Sequence, residues 1–268
     1  MISAAALRAS GRSAACAALD FILPPVCASC DQLVSDELDA LVCRVCWSRL
    51  RTLPAPRCDR CGHPADEYQC RWCTLLPPFI RAARSFCWVK SGTALGIVHA
   101  LKYGGWARVA EGMGTRMARL SFPEDVTRER TALVPVPLAR ARQRERGYNQ
   151  SGLLAHVLAA RWHLPVWEDV VGRGRTTESQ TRLTPEERRH NVSSAFTVAP
   201  RLGARLRGAH ILLVDDVVTT AATLNACASA LYDGGARIIS YVTFGRAPAI
   251  GDRVETTGEL LDGNSRRH

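Results

Sequence analysis

The run Ile211-Leu212-Leu213-Val214-Asp215-Asp216-Val217-Val218-Thr219-Thr220-Ala221-Ala222-Thr223-Leu224 decides how this chain folds. Its first four residues are all apolar, as expected of a buried strand in the centre of a parallel sheet. The acidic pair and the threonines after it predict a sharp polar loop, and the segment beyond predicts a helix start. A loop of this kind at the carboxyl end of a strand is where an open α/β sheet holds its ligand. Two carboxylates can grip a pair of ribose hydroxyls. The backbone N–H groups and threonine hydroxyls that follow can cradle a phosphate at a helix N-terminus. The stretch therefore predicts a site for a sugar phosphate.

Outward from it, strand and helix signals alternate. Residues 84–89 read as a strand. Residues 93–102 place Ala94, Ile97, Val98 and Leu101 on one helical face. Residues 132–137 read as a strand that its prolines end, and 149–161 as a helix with Asn149 as cap. A helix over 223–231 is stopped by Gly234-Gly235, and 236–244 is the next strand. This pattern predicts an α/β domain over 79–247 with a mostly parallel sheet flanked by helices. Residues 248–268 are polar and unpatterned and are expected to be disordered.

A second module precedes that domain, over 24–78. Cys27-x-x-Cys30 and Cys43-x-x-Cys46 are separated by twelve residues, and Cys58-x-x-Cys61 and Cys70-x-x-Cys73 by eight. A C-x-x-C turn sets two thiolates on one side of a knuckle, and two such turns close a tetrahedral four-sulfur zinc site with no open position. Eight cysteines imply two structural Zn²⁺ ions, in sequential or interleaved pairing. A redox role is the competing reading, but the strand context that such a motif needs is missing. His63, two residues beyond Cys61, reads as a surface histidine or a substitute ligand. Cys16, Cys87 and Cys227 fall in helix or strand patterns and read as core. The module is small and polar, so metal binding should supply its folding energy.

The 268 residues are 47% hydrophobic with a mean hydropathy of −0.07, as in ordinary globular chains. The formal net charge of +10 favours polyanions, either nucleic acid or phosphorylated small molecules. No stretch is long and apolar enough to span a bilayer as a helix, which argues against membrane insertion. Residues 1–23 read as an N-terminal helix ending before Pro24-Pro25. Their apolar core is weak and Asp20 interrupts it, which argues against a signal peptide and for a reduced, cytoplasmic location.

At 214–223 the chain resembles the 5-phosphoribosyl-1-pyrophosphate (PRPP) loop of type I phosphoribosyltransferases. Further segments narrow this: Ala100-Leu101-Lys102-Tyr103; Pro135-Val136-Pro137 leading to Arg144-Glu145-Arg146-Gly147-Tyr148-Asn149-Gln150; and Arg175-Thr176, Gln180, Leu183, Arg188, Asn191-Val192 and Ala195-Phe196. With the cysteine module in front, the order is similar to that of the ComF/GntX family of competence-related proteins. The resemblance implies a type I phosphoribosyltransferase-like domain behind a double zinc ribbon. It implies PRPP bound with Mg²⁺, glycosyl (pentosyl) transfer, and a role in DNA uptake and transformation. Asp215 and Asp216 would accept from ribose hydroxyls, and Val217, Val218, Thr219, Thr220, Ala221 and Thr223 would hold the 5′-phosphate. Lys102 and Tyr103 fall where the superfamily places its pyrophosphate loop, although a lysine there also offsets the helix dipole. Residues 172–191, carrying Arg173, Arg175, Gln180, Arg182, Arg188 and Arg189, are placed as a water-excluding lid. Family loops usually carry glycine where this chain has Ala221, so the loop's conformation at that residue bears on affinity.

Arg140, Arg142, Arg144 and Arg146 recur at every second position before Tyr148. In an extended loop all four share a side; in a helix they spread around the axis. They suit pyrophosphate, or single-stranded nucleic acid with a base stacked on an aromatic ring. Three functions are thus in view: a PRPP-dependent transferase, a non-catalytic scaffold for single-stranded DNA and DNA-uptake or recombination proteins, and a PRPP or nucleotide sensor.

Overall fold

The structure, a computed structural model, describes residues 26–34, 41–64, 70–174, 195–249 and 252. The N-terminal helix predicted over 1–23, Cys16 and the lid residues 175–191 lie outside the described residues.

Four strands form one parallel sheet: β1 (Ile80–Trp88), β2 (Arg130–Pro135), β5 (His210–Val218) and β6 (Ile238–Arg246). The order is β1-β6-β5-β2, with every neighbouring pair parallel. Alternation along β5 sends Leu212 and Val214 to one face and Ile211 and Leu213 to the other. The first face is covered by α2 (Gly92–Tyr103), α3 (Val109–Met117) and α6 (Gln150–Trp162), through Ile97, Leu101, Met113 and Leu154. The second is covered by α8 (Ala222–Asp233), through Leu224, Cys227 and Leu231. A short antiparallel hairpin of β3 (Val171–Arg173) and β4 (Phe196–Val198) joins that layer. Both faces are buried, as a parallel sheet requires. Cys87 and Cys227 are fully buried in the two cores, as expected.

The predicted strands and helices are present, with one correction that matters for function. β5 runs through Asp215 and Asp216 to Val218, so the acid pair belongs to the strand and not to the loop. The ladder to β6 holds it extended, with Asp215 opposite Thr243 and Val217 opposite Gly245. Helices α3, α4 (Glu124–Glu129) and α5 (Arg140–Arg146) go beyond the sequence reading. A further short helix, α7 (Gly203–Leu206), leads into β5.

The cysteine module is two knuckles built alike. Each begins with a hairpin closed by an antiparallel bridge, Val26 to Leu33 in the first and Arg57 to Pro64 in the second. Each then turns one helical stretch at its third cysteine: α1 (Arg44–Ser48) after Cys43, and a 3₁₀ turn (Arg71–Leu75) after Cys70. Gly62 takes φ +66°, and a Cβ there would collide with the Ala83 carbonyl of β1.

The two knuckles dock on different elements. In the first, Ser29 Oγ donates to Thr93 O of α2 at 3.2 Å. Trp47 covers Gly112 of α3, and the Arg116 guanidinium lies 3.6 Å from the Trp47 ring. In the second, Ala83 N–H donates to Arg60 O at 2.7 Å, and the Arg60 guanidinium donates to the carbonyls of Ile80, Cys73, Leu76 and Pro77. His63 is neither a surface residue nor a ligand. It is 8% exposed, its ring lies against Trp72, and its Nε2 is 3.0 Å from Asp252. Asp252, from the segment expected to be disordered, is thereby docked on the second knuckle. The imidazole packs against Trp72 and Trp88 while Asp252 meets its Nε2, contacts from separate segments that no local pattern shows.

Candidate functional site

The sulfur atoms settle the pairing of the cysteines. Cys27, Cys30, Cys43 and Cys46 form one cluster and Cys58, Cys61, Cys70 and Cys73 the other, with the ligand atoms in each lying within 4.8 Å of one another. The pairing is therefore sequential. A tetrahedral ion with bonds of about 2.3 Å sets its sulfurs about 3.8 Å apart. Cys30–Cys43 at 3.8 Å matches that cage, and Cys58–Cys73 at 3.4 Å and Cys61–Cys70 at 3.3 Å are somewhat tighter than it. Backbone donors are already aimed at sulfur: Cys43 N–H at Cys27 Sγ, 3.3 Å, and Cys46 N–H at Cys43 Sγ, 3.4 Å. Burial raises the pKa of Cys27, but hydrogen bonds from the backbone N–H groups of Cys43, Ser29 and Cys30 outweigh it and bring the thiol down to about 7. Four thiolates leave no open position, so the ions are structural.

Because the strands are parallel, their carboxyl ends converge, and there a cavity of about 420 Å³ opens. Val89 follows β1, Val136 and Pro137 follow β2, Asp215, Asp216 and Val217 lie in the last residues of β5 with Thr219 just beyond it, and Ala247 follows β6. The acid pair forms its floor. Ser151 Oγ donates to Asp215 Oδ1 at 2.8 Å, and Asp216 N–H donates to the same oxygen at 2.9 Å. Burial, then the neighbouring charge of Asp216, pushes the Asp215 carboxyl up to about 7. Lys102 Nζ sits 2.7 Å from Asp216 Oδ2, whose side chain is 4% exposed. The lysine at the end of α2 thus lines the cavity and reaches across it to the acid pair.

The segment after β2 positions these groups residue by residue. Gly147, at φ +81°, ends α5 with its N–H on Gln143 O. Tyr148 OH donates to Leu101 O at 2.6 Å, anchoring the end of α2 beside Lys102. Asn149 Oδ1 accepts from Ser151 N–H at 3.1 Å and caps α6, while its Nδ2 donates to Val136 O at 3.1 Å. Ser151 then reaches Asp215. Ser151 and Gln150 both line the cavity, and sequence reasoning assigned neither; a cap followed by a small hydroxyl residue is the only local signal.

Arg140–Arg146 is a helix, so the four arginines fall in two rows. At 100° per residue, Arg142 and Arg146 share one side and Arg140 and Arg144 the other. Arg142 lines the cavity, and Arg146 lies 5.3 Å from the Tyr103 ring and donates to Gln150 Oε1. Arg144 is exposed and does not line the cavity, which corrects its expected place among the pyrophosphate-facing residues. Arg173, at the end of β3, does line it. Arg175, Gln180 and Arg188 lie outside the described residues.

The threonine loop splits between two cavities. Val217, Thr219 and Thr223 face the large one. Val218, Thr220 and Ala221, with Thr219 bordering both, line a small inner cavity of about 20 Å³, room for one water, shared with Cys61, Trp72 and Leu76 of the second knuckle. Ala221 adopts φ +60°, ψ 5°, the left-handed conformation in which a non-glycine residue costs about 1–2 kcal/mol. Its side chain belongs to the core cluster with Leu224 and Leu76, and Ala221 is absent from the wall of the large cavity.

A parallel sheet with an acid pair and a threonine loop at its carboxyl ends, behind two four-cysteine knuckles, is a phosphoribosyltransferase-type domain fused to a double zinc ribbon. Residues 18–76 match the double zinc ribbon domain family, and residues 163–257 match the phosphoribosyl transferase domain family. The DNA utilization protein YhgH of Escherichia coli (strain K12) is 31% identical over 215 residues, covering 74% of this chain and 87% of that protein. Competence protein F of Haemophilus influenzae is 35% identical over 132 residues, 49% of this chain and 54% of that one. The chain belongs to the ComF family of competence-related proteins. A structure of hypoxanthine phosphoribosyltransferase from Trypanosoma cruzi in its ternary substrates complex is similar at 18% identity, over 58% of this chain and 74% of that one, with a TM-score of 0.31. Among the described residues, no helix is long and apolar enough to cross a membrane.

Proposed function

We propose that the large cavity binds PRPP with Mg²⁺ and that this binding serves DNA uptake in the cytoplasm. The observation that carries the reading is the convergence in one cavity of an acid pair, two threonines and three cations, Lys102, Arg142 and Arg173. Its volume falls in the range of small-ligand sites. Asp215 and Asp216 would accept from the ribose hydroxyls, and Thr219 and Thr223 would hold the 5′-phosphate. Lys102, Arg142 and Arg173 would meet the pyrophosphate. Mg²⁺, when bound, offsets pyrophosphate charge, and the acid pair is the donor set here that suits a hard cation. Pentosyl transfer passes through an oxocarbenium-like transition state, in which cations around the departing pyrophosphate carry the developing charge.

Calorimetric titration of the zinc-loaded protein with PRPP and Mg²⁺ tests the reading. Saturable binding that disappears in Asp215→Asn/Asp216→Asn is expected; no binding by the native chain defeats it. Pyrophosphate release with candidate acceptors then separates a transferase from a sensor.

A second reading rests on α5, which buries no residue and presents Arg140 and Arg144 to solvent, with Tyr103 72% exposed nearby. That surface suits single-stranded DNA. Affinity that falls steeply with salt supports it, and the absence of a DNA shift at low salt removes it.

A further inference from the structure

We infer that the second zinc knuckle is the brace that holds the phosphate loop in its binding shape, and that Asn225 is the positioning residue that transmits it. The inference rests on the PRPP reading of the loop for its affinity arm, but its structural arm stands without it.

The loop's weak point is Ala221. Glycine takes the left-handed conformation freely; alanine needs its surroundings to impose it. Those surroundings are the second knuckle. Trp72, Leu75 and Leu76, which flank Cys73, close the inner cavity against Val218, Thr220 and Ala221. Two polar ties fasten the same junction. Asn225 Nδ2 donates to Leu75 O at 2.7 Å, while Asn225 Oδ1 accepts from Tyr241 OH at 3.0 Å. Arg246, 8% exposed at the end of β6, donates to Cys61 O at 2.7 Å. Asn225 N–H meanwhile bonds to Ala221 O at 2.8 Å. One side chain therefore joins a carbonyl two residues past a zinc ligand to the first turn of the helix that the loop opens. The knuckle fixes Leu75 when its four sulfurs share an ion, and Asn225 carries that position to Ala221.

The test uses full-length, zinc-loaded protein. Asn225→Ala touches no metal ligand and should keep two zinc ions per chain. Hydrogen exchange should speed up in the segment 216–226 while core amides of β2 stay as protected as in the native chain. PRPP affinity should fall about threefold to tenfold, the worth of one hydrogen bond. Ala221→Gly added to Asn225→Ala should recover most of that affinity, because glycine needs no brace; a loss from general destabilisation would also accelerate exchange in β2. Unchanged exchange over 216–226 in Asn225→Ala overturns the inference, as does failure of Ala221→Gly to recover the affinity. If the native chain does not bind PRPP at all, the sugar-phosphate reading falls, and the exchange comparison still decides the brace.

Discussion

The two zinc knuckles share paired C-x-x-C turns and a bridged hairpin, yet they support opposite walls of the cavity. The first rests on α2 and α3 through Ser29 and Trp47, and α2 ends in Lys102 and Tyr103. The second rests on β1, α8 and the end of β6, behind the acid pair and the threonine loop. A repeated metal motif thus fixes two unlike surfaces. The ion determines each knuckle's fold, but the residues between the cysteines determine what it leans on.

Separating the two knuckles should give the largest effects. Cys46→Ser and Cys61→Ser should each reduce zinc from two ions to one, because three thiolates do not close the cage. Hydrogen exchange should then rise over 92–117 in the first variant and over 216–226 in the second. Rises in the same place for both would erase the distinction. Stripping both ions with a chelator should open both segments.

Lys102→Met tests the wall carried by the first knuckle. It leaves Asp216 buried without its cation, at a cost of about 1–3 kcal/mol, read as a lower thermal midpoint. PRPP affinity should drop at least about tenfold, the order expected for one charge-assisted contact. Along the arginine helix the expected effects are smaller and unequal. Arg142→Ala should weaken PRPP binding by about tenfold, again one such contact, whereas Arg144→Ala should leave it unchanged and lower only DNA affinity. Equal effects would mean that the two rows of α5 are not distinct.

The wall behind the loop has a pH signature. The folded-state pKa of Asp215 lies above its unfolded value, so the folded chain holds the proton longer. Its contribution is therefore most favourable in acid and is lost as pH rises toward about 7. Asp215→Asn should be more stable than the native chain at pH 8, by about 1–3 kcal/mol in urea melts, and equal to it near pH 4. His210 works the other way: burial pushes its imidazole down to about 4, so stability falls as pH drops below about 6.5 in both proteins. A gap between the two proteins that is the same at both pH values would contradict this account of Asp215.

Much of this was legible in the chain. Cysteine spacing gave the eight ligands but left their pairing open, and apolar runs gave the strands, because metal knuckles and buried strands both impose local, periodic patterns. Asp215, Asp216, Thr219 and Thr223, which line the large cavity, all come from one contiguous stretch that the sequence singles out. Arg144 misled because spacing of two suits a strand as well as a helix, and only the helix separates its row from that of Arg142. His63 misled because its partners, Trp72, Trp88 and Asp252, come from separate segments.

The sequence by itself determined the eight cysteine ligands, the parallel α/β order and the make-up of the acidic, threonine-rich segment, since each is written in residues close together along the chain. The pairing of the cysteines waited on the sulfur positions. Only the tertiary structure decided that the acid pair is strand, that Lys102 crosses to Asp216, that Ser151 orients Asp215, and that Ala221 turns left-handed against the second knuckle. Those facts depend on side chains that meet across strand ends and helix termini, where distance along the chain carries no signal and packing alone sets the contact.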